Sequence, residues 1–292
     1  MKYIQLIRPH QWLKNIFIFL PLFFDKHLFD ISYIIPTVIT FVSFCFLSSS
    51  IYCFNDIIDY KADQLHPEKK KRPIASGKVS VFEGYIVMFV LLFLSIGILL
   101  IGGNEKKWSV LGVLFAYFIL NIFYCLKLKQ IAIVDVFIIA TGFVLRVLAG
   151  GFSTGIVLTH WIVLTTFLLA CFLGFAKRRD DLIINKDTGV IVRNNINRYS
   201  LDFLNLVLAV LASIIMVCYV MYTVSDEVIS RMGSNYVSLT SIFVLAGIIR
   251  YLQLTLVDAK SGSPTDILIN DRFIQCCLAG WIINFVIIIY LS

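Results

Sequence analysis

Apolar runs long enough to cross a lipid bilayer recur along this chain, and they constrain its fold more than any other feature. Residues 86–103 read IVMFVLLFLSIGILLIGG and contain no charged side chain. A spanning α-helix needs about 20 apolar residues, whereas the strands of a membrane β-barrel alternate polar and apolar residues. This run does not alternate. We therefore expect an all-α integral membrane protein.

Charged residues are scarce in the chain as a whole. They make up 15% of the 292 residues, against roughly 25% in soluble domains, and 59% of the residues are hydrophobic. The first of nine predicted spans is the weakest, because Lys14 and Pro21 interrupt it. We expect one transmembrane domain over 1–292 and no separate soluble domain. The predicted spans are 10–28, 33–55, 82–101, 108–125, 131–150, 158–177, 202–222, 237–256 and 272–291.

Lysine and arginine are distributed unevenly between the loops that join these spans. Most lie in the N-terminal segment and in loops on the same side of the membrane, above all in 56–81 and 178–201. Cytoplasmic loops carry the excess of these cations. We therefore expect a multi-pass protein of the cell inner (plasma) membrane whose N-terminus and two long polar loops face the cytoplasm. With nine spans, the C-terminus lies outside.

Four oxygen-bearing side chains close the second predicted span. Because an α-helix turns by about 100° per residue, Asn55, Asp56, Asp59 and Asp63 lie on one face, within an arc of about 100°. Carboxylates so close together repel one another unless a cation lies between them. Mg²⁺ prefers hard oxygen ligands and often bridges a few carboxylates to substrate phosphates. The sequence predicts a magnesium site here, and the alternative is a solvated helix end.

Cations follow the acids directly. Lys69 and Arg72 come after the helix-ending His66–Pro67, and ammonium and guanidinium groups bind phosphate. Lys14 of the first span is a further candidate for substrate binding. The sequence therefore indicates a site that holds substrate phosphate through these cations as well as through the metal.

A second polar cluster closes the sixth span, in GFAKRRDDLIINKD. Lys177 and Asp181 share a helix face at i and i+4, and Arg178 is adjacent. Asp135 begins an apolar span and Arg146 lies further along it, and ionisable residues in such places are functional candidates. Tyr124 and Lys129, at the loop after the fourth span, are further functional candidates.

These motifs resemble the UbiA superfamily of intramembrane prenyl-transferring enzymes. Residues 55–77, NDIIDYKADQLHPEKKKRPIASG, are similar to its first Asp-rich motif, and the likeness extends over nearly the whole chain. The resemblance implies a bundle of nine helices around a central cavity open to the cytoplasm. It implies Mg²⁺ as cofactor and catalytic roles for Asp56, Asp59, Asp63, Lys129 and Asp135.

One branch of the superfamily is especially similar, in RPHQWLKN, HPEKKKRPIASG and VDVFIIATGFVLRVLAGG. Its members transfer 5-phosphoribose from phosphoribosyl pyrophosphate to a polyprenyl phosphate such as decaprenyl phosphate, for cell-wall biogenesis. The resemblance implies this pentosyl transfer, with release of pyrophosphate. The implied substrate-binding residues are Lys14, Asn55, Lys69, Arg72, Tyr124, Arg146, Lys177, Arg178 and Asp181.

The second loop departs from the aromatic prenyltransferases of the superfamily. They carry a D-x-x-x-D motif where this chain has KRRDD at 177–181. Cations in place of acids suit a substrate with a second phosphate remote from the metal, as phosphoribosyl pyrophosphate has. Lys177 and Arg178 are therefore expected to bind phosphate without a metal.

Two other functions compete with this interpretation. A prenyltransferase acting on an aromatic acceptor would need both acidic motifs, and a transporter would favour inverted repeats and charges at the midplane. The four histidines are far apart in the sequence and form no evident catalytic pair. We expect no nucleic-acid partner. The polyprenyl chain length and a homo-oligomeric state are left open.

Overall fold

The structure is a computed structural model that describes residues 2–65, 69–103, 105–188, 195–258 and 264–288. Within these ranges the regular structure is entirely helical, with no strand, as expected from the apolar runs. The α-helices are α1 Lys2–Ile7, α2 Leu20–Phe24, α3 Ile31–Leu65, α4 Val81–Gly102, α5 Lys107–Leu126, α6 Val134–Thr154, α7 His160–Thr188, α8 Leu201–Val224, α9 Asp226–Met232, α10 Ser241–Leu256, α11 Pro264–Asn270 and α12 Arg272–Val286.

Seven of the described helical segments are long and apolar enough to cross a membrane. They comprise α3 to α8 and the segment Asn235–Leu256, while α12 is apolar but shorter. The prediction of a multi-pass membrane protein is confirmed at this level, and the count of nine stays a prediction. The segment α3 runs ten residues beyond its predicted end at 55, through the acidic residues to Leu65.

The first predicted span, 10–28, is not a single α-helix. A 3₁₀-helix covers Pro9–Phe19 and the short α2 follows it. A 3₁₀-helix repeats every three residues, and Trp12, Asn15 and Ile18 share the inward face, with Asn15 and Ile18 fully buried. The intervening Leu13 and Ile16 are about half exposed. Because hydropathy does not distinguish a period of 3.0 from one of 3.6, the sequence predicted an α-helix.

The described chain forms two compact units. The first contains Met1–Lys129 and Gly142–Leu158, and the long α3 is its centre. Against α3 pack α4, α5 and the 3₁₀ segment. Buried side chains such as Phe44, Tyr117 and Ala149 form the core. A polar contact joins α3 to α4, where the Ser43 hydroxyl donates a hydrogen bond to the Ser95 carbonyl.

The second unit contains Gln130–Thr141 and Thr159–Ser292. Its main packing pairs are α7 with α8 and α10 with α12. Gly174 on α7 allows a close approach to the first turns of α6, because a Cβ at this position would lie 2.7 Å from Val136 Cγ1. This contact brings the start of α6 beside the polar end of α7.

Candidate functional site

The acidic end of α3 is helical, as the sequence predicts. No proline or glycine interrupts α3 between Thr37 and Leu65, so the side chains keep their helical spacing. Asp56 and Asp63 are buried, and Arg72 Nη1 donates to both, at 3.2 Å from Asp56 Oδ1 and 2.6 Å from Asp63 Oδ2. One guanidinium thus links two carboxylates that lie two turns apart.

A second arginine reaches the same carboxylate. Arg8 Nη2 lies 2.5 Å from Asp56 Oδ1, and the Arg8 guanidinium lies 5.4 Å from the ring centroid of Tyr52. The backbone of Arg8 is left-handed, with φ of 54°, at the entry to the 3₁₀ segment. From the sequence alone, Arg8 was predicted only as one of the cytoplasmic cations of the N-terminal segment. Arg8 opens the motif RPHQWLKN, and this position was the only indication in the sequence that it has a functional role.

The third carboxylate is paired with a predicted residue. Lys129 Nζ lies 2.6 Å and 2.7 Å from the two oxygens of Asp59. Lys129 sits in the 3₁₀ turn Leu128–Gln130 after α5, so the structure brings together these two predicted catalytic residues. Tyr124, one turn earlier, is partly buried and packs against the core of the first unit.

The donor chemistry of this cluster suits Mg²⁺ that arrives with phosphates. The Oδ2 atom of Asp56 is buried and has no hydrogen-bond partner among the described residues. Within the described ranges, no three His, Cys, Asp or Glu side chains are close enough to form a metal cage. Mg²⁺ is usually bound by one or two carboxylates plus substrate phosphates and water. The acids therefore fit a substrate-borne metal, and Asn55 is partly buried beside them.

The second polar cluster is a buried ionic triad. Arg178 Nε lies 2.7 Å from Asp135 Oδ2, and Arg178 Nη1 lies 3.2 Å from Asp181 Oδ2. Arg178 is only 1% exposed and Asp135 is completely buried. The structure therefore brings together three predicted site residues. Their mutual pairing makes Arg178 a structural cation in this conformation, while Lys177 on the same helix is partly exposed.

Tyr199, which was not predicted from the sequence, is a fourth member of this cluster. Its hydroxyl accepts a hydrogen bond from the Ile133 backbone N–H at 2.6 Å and donates one to Asp135 Oδ1 at 3.3 Å. Burial raises the pKa of Tyr199, so the phenol stays protonated and able to donate. Ile133 has φ of 71°, a strained conformation for a β-branched residue. Tyr199 thus stabilises the turn that begins α6.

The variant Tyr199→Phe is expected to destabilise the protein by about 1–3 kcal/mol, because it removes one hydrogen bond from the buried Asp135 carboxylate and one from the Ile133 backbone N–H. Thermal unfolding in detergent would measure this loss. Tyr236→Phe is the matched control, since Tyr236 is 70% exposed. Equal melting temperatures for the two variants would contradict the role given to Tyr199.

The remaining predicted residues are Arg146, Lys14 and Lys69. Arg146 is buried on α6 and bonds to neutral groups in the first unit. Lys14 lies in the 3₁₀ segment, and Lys69 begins the short 3₁₀ turn Lys69–Lys71. Arg179, next to Arg178, was not among the predicted site residues. It donates to Asn205 and to the carbonyls of Thr255 and Leu256 at the end of α10.

Comparisons with known proteins identify the family. The sequence profile of the UbiA prenyltransferase family matches residues 24–255, and the chain belongs to this family. It is 29% identical to the decaprenyl-phosphate phosphoribosyltransferase of Corynebacterium glutamicum, over 99% of this chain and 86% of that protein. The enzyme of the same name from Mycolicibacterium smegmatis is also 29% identical, over 99% of this chain and 92% of its own length.

A solved structure shares the fold. The UbiA homolog from Archaeoglobus fulgidus, solved with GPP and Mg²⁺ bound, superposes with a TM-score of 0.70. The match covers 99% of both chains at 20% sequence identity. At this identity the likeness establishes the fold and not the substrate.

Proposed function

We propose that this protein is a Mg²⁺-dependent pentosyltransferase. It transfers 5-phosphoribose from phosphoribosyl pyrophosphate to a polyprenyl phosphate and releases pyrophosphate. The observation that carries the proposal is the cluster at the end of α3, where Arg8, Arg72 and Lys129 contact three carboxylates. Such a cluster offers metal ligands, and cations that can donate hydrogen bonds to phosphate, in one place. The names of the full-length relatives support the same reaction.

The acids and the cations of this cluster have complementary roles. Asn55, Asp56, Asp59 and Asp63 are the candidate ligands, of which one or two carboxylates would hold the metal together with substrate phosphates. The metal would stabilise negative charge on the leaving pyrophosphate. In the structure the carboxylates neutralise the cations instead. With a metal–pyrophosphate group present, the carboxylates would face the metal, and Arg72, Arg8 and Lys129 would donate to phosphate oxygens.

The reaction needs no strong general base. An oxygen of the lipid phosphate, already anionic, forms a bond to C1 of the ribose while the bond from C1 to the pyrophosphate oxygen breaks. The electron pair of that bond leaves with pyrophosphate. The apolar spans hold the polyprenyl tail, so only its phosphate must reach the polar helix ends. Lys14 and Lys69 are further cations for these phosphates.

The second polar cluster serves the 5-phosphate in this proposal. Lys177 is the candidate donor, because it is partly exposed. Asp135, Arg178 and Asp181 would hold the surrounding backbone. Tyr124 is kept as a candidate substrate contact. A single domain over 1–292, nine spans around a cavity open to the cytoplasm, and the inner membrane as location belong to the same proposal.

A side-by-side assay tests this function. Purified protein with labelled phosphoribosyl pyrophosphate, Mg²⁺ and a short polyprenyl phosphate is expected to move label into the organic phase. Excess EDTA should abolish the transfer, because the leaving group loses its metal. An aromatic acid with a prenyl diphosphate should give no product.

The reverse pattern would assign the protein to the aromatic prenyltransferases of its family. That alternative is the natural competitor, since the Archaeoglobus fulgidus homolog was solved with a prenyl diphosphate. Undiminished transfer in EDTA would contradict the role of the metal while leaving the transfer of phosphoribose intact. The two parts of the proposal therefore fail separately.

A further inference from the structure

Arg146 is a buried cation with neutral partners. It lies in the middle of α6 and is 5% exposed. Its Nε donates to Asn15 Oδ1 at 2.8 Å, Nη2 to the Tyr117 hydroxyl at 2.9 Å, and Nη1 to the Gly142 carbonyl at 2.7 Å. No carboxylate of the described residues forms a salt bridge with it. A charge in a membrane span is expensive, so this one calls for an explanation.

Aromatic rings surround the guanidinium and interact favourably with its positive charge. Its central carbon lies 5.1 Å from the ring centroid of Phe44, 4.9 Å from that of Tyr117 and 5.2 Å from that of Phe143. Cation–π contacts of this kind are stronger where water is excluded. Together with three hydrogen bonds they fix the guanidinium in one orientation. A group held so firmly is suited to positioning a neighbour and poorly suited to releasing its partners for a ligand.

The neighbour that it positions is the 3₁₀ segment Pro9–Phe19. Asn15 is completely buried, and its Nδ2 lies 3.2 Å from Cys45 Sγ and 3.4 Å from Ser48 Oγ. Its Oδ1 accepts from Arg146. The single side chain of Asn15 therefore links the segment to α3 through its amide nitrogen and to α6 through its amide oxygen.

The contacts between the segment and α3 run in antiparallel register. Arg8 pairs with Asp56, Trp12 Nε1 donates to Ser49 Oγ at 2.9 Å, and Asn15 reaches the turn from Cys45 to Ser48. From Arg8 to Asn15 a 3₁₀-helix rises by about 14 Å. The matching stretch of α3 rises by about 12–17 Å. Because the two lengths agree, fixing Asn15 also fixes where Arg8 meets Asp56.

A glycine on α6 secures the same segment one turn further along. A Cβ at Gly150 would lie 2.0 Å from the Ile18 carbonyl oxygen, so only glycine allows this approach. Arg146 and Gly150 are four residues apart and share a helix face. The segment thus contacts α6 at Asn15 and Ile18, and it contacts α3 at Trp12 and Asn15.

We propose that Asn15 and Arg146 are positioning residues for the acidic site. They hold the 3₁₀ segment in the register that places Arg8 on Asp56, although neither touches the carboxylates. That these residues hold the register of the 3₁₀ segment, the geometric part of the proposal, is argued from the contacts alone. The effect on catalysis rests on the proposed function. The family resemblance implied that Arg146 binds substrate, whereas its contacts in the structure give it a positioning role.

Hydrogen–deuterium exchange tests the geometric part without any substrate. Arg146→Gln removes the charge and the donors to Asn15, so amides of residues 10–19 are expected to exchange several-fold faster. Asn15→Leu breaks the same contact from the other side and serves if the first variant fails to fold. Ser95→Ala is the control, because Ser95 is a buried hydrogen-bonding residue of the same unit that bonds to Ser43. Unchanged exchange in both anchor variants would overturn the proposal.

A double-mutant cycle tests the catalytic part. Arg146→Gln alone is expected to raise KM for phosphoribosyl pyrophosphate by about tenfold or more, because it displaces Arg8. With Arg8→Ala already present, the same change should add little, since neighbours that act through one contact are not additive. Fully additive effects would mean that Arg146 acts only on general stability, and would overturn the positioning role. If the wild-type protein lacks this activity, the proposed function fails and the exchange experiment alone decides the geometry.

Discussion

The variant Asp63→Asn is expected to lower turnover by at least about a hundredfold, because it removes a negative charge from the candidate metal–pyrophosphate site. Asn keeps the size of the side chain, but it replaces one anionic oxygen with an amide. Arg72, which is partly exposed, would lose one of its two carboxylate partners and keep Asp56. The protein should therefore remain folded and monodisperse in detergent. Asp59→Asn is expected to act in the same direction through Lys129.

Label transfer from phosphoribosyl pyrophosphate at saturating Mg²⁺ would measure this loss. Asp202→Asn is the matched control, because Asp202 is an exposed acid in the first turn of α8. Activity near that of the wild type in both Asp63→Asn and Asp59→Asn would refute the metal site. A loss that disappears at high Mg²⁺ would indicate weakened metal affinity with the site otherwise intact.

The part of this site that sequence could predict is the part that one helix determines. Asp56 and Asp63 lie on a common face because α3 has no interruption, and helical periodicity alone places them there. Two partners of the acidic residues on α3 are remote in sequence: Arg8 pairs with Asp56, and Lys129 pairs with Asp59. A single sequence carries no information on such pairings. Arg8 was therefore missed. Lys129 was a candidate from its loop, but its pairing with Asp59 was not predicted.

The 3₁₀ segment illustrates a second limit. Its sequence is apolar enough for a span, and nothing in its composition excludes an α-helix. The decisive contacts are the hydrogen bonds of Asn15 and the close approach of Gly150 to Ile18, which are tertiary. These contacts favour the three-residue repeat over the α-helical one. Local propensity is a weak guide where packing decides.

The length of α7 explains why Arg178 is buried at the second polar cluster. The sequence placed Lys177 and Arg178 at the polar end of the span predicted over 158–177 and predicted that they bind phosphate. In the structure α7 continues to Thr188, and Arg178 points into the protein between Asp135 and Asp181. The apolar run ends at Phe175–Ala176, but the helix does not, because the following residues lack a helix breaker until Gly189. Hydropathy marks where lipid ends and not where the helix ends.

Arg178→Met is expected to lower the free energy of unfolding by about 3–5 kcal/mol, because it leaves the Asp135 carboxylate buried without its cation. Asp135 is completely buried and Arg178 is 1% exposed, so water cannot replace the lost partner. The double variant Asp135→Asn with Arg178→Met removes both charges and should be more stable than Arg178→Met alone. Unfolding by SDS titration in mixed micelles would give the free energy of unfolding of the wild type, of Arg178→Met and of the double variant.

Lys177→Met separates this structural role from phosphate binding. Lys177 is partly exposed, so its loss should change stability by no more than about 1 kcal/mol. If Lys177 binds the 5-phosphate, the same variant should raise KM for phosphoribosyl pyrophosphate and leave KM for the polyprenyl phosphate unchanged. The contrary result is an Arg178→Met protein as stable as the wild type with a raised KM for phosphoribosyl pyrophosphate. That outcome would mean that Arg178 leaves the triad to bind phosphate, and that the buried pair exists only until the substrate arrives.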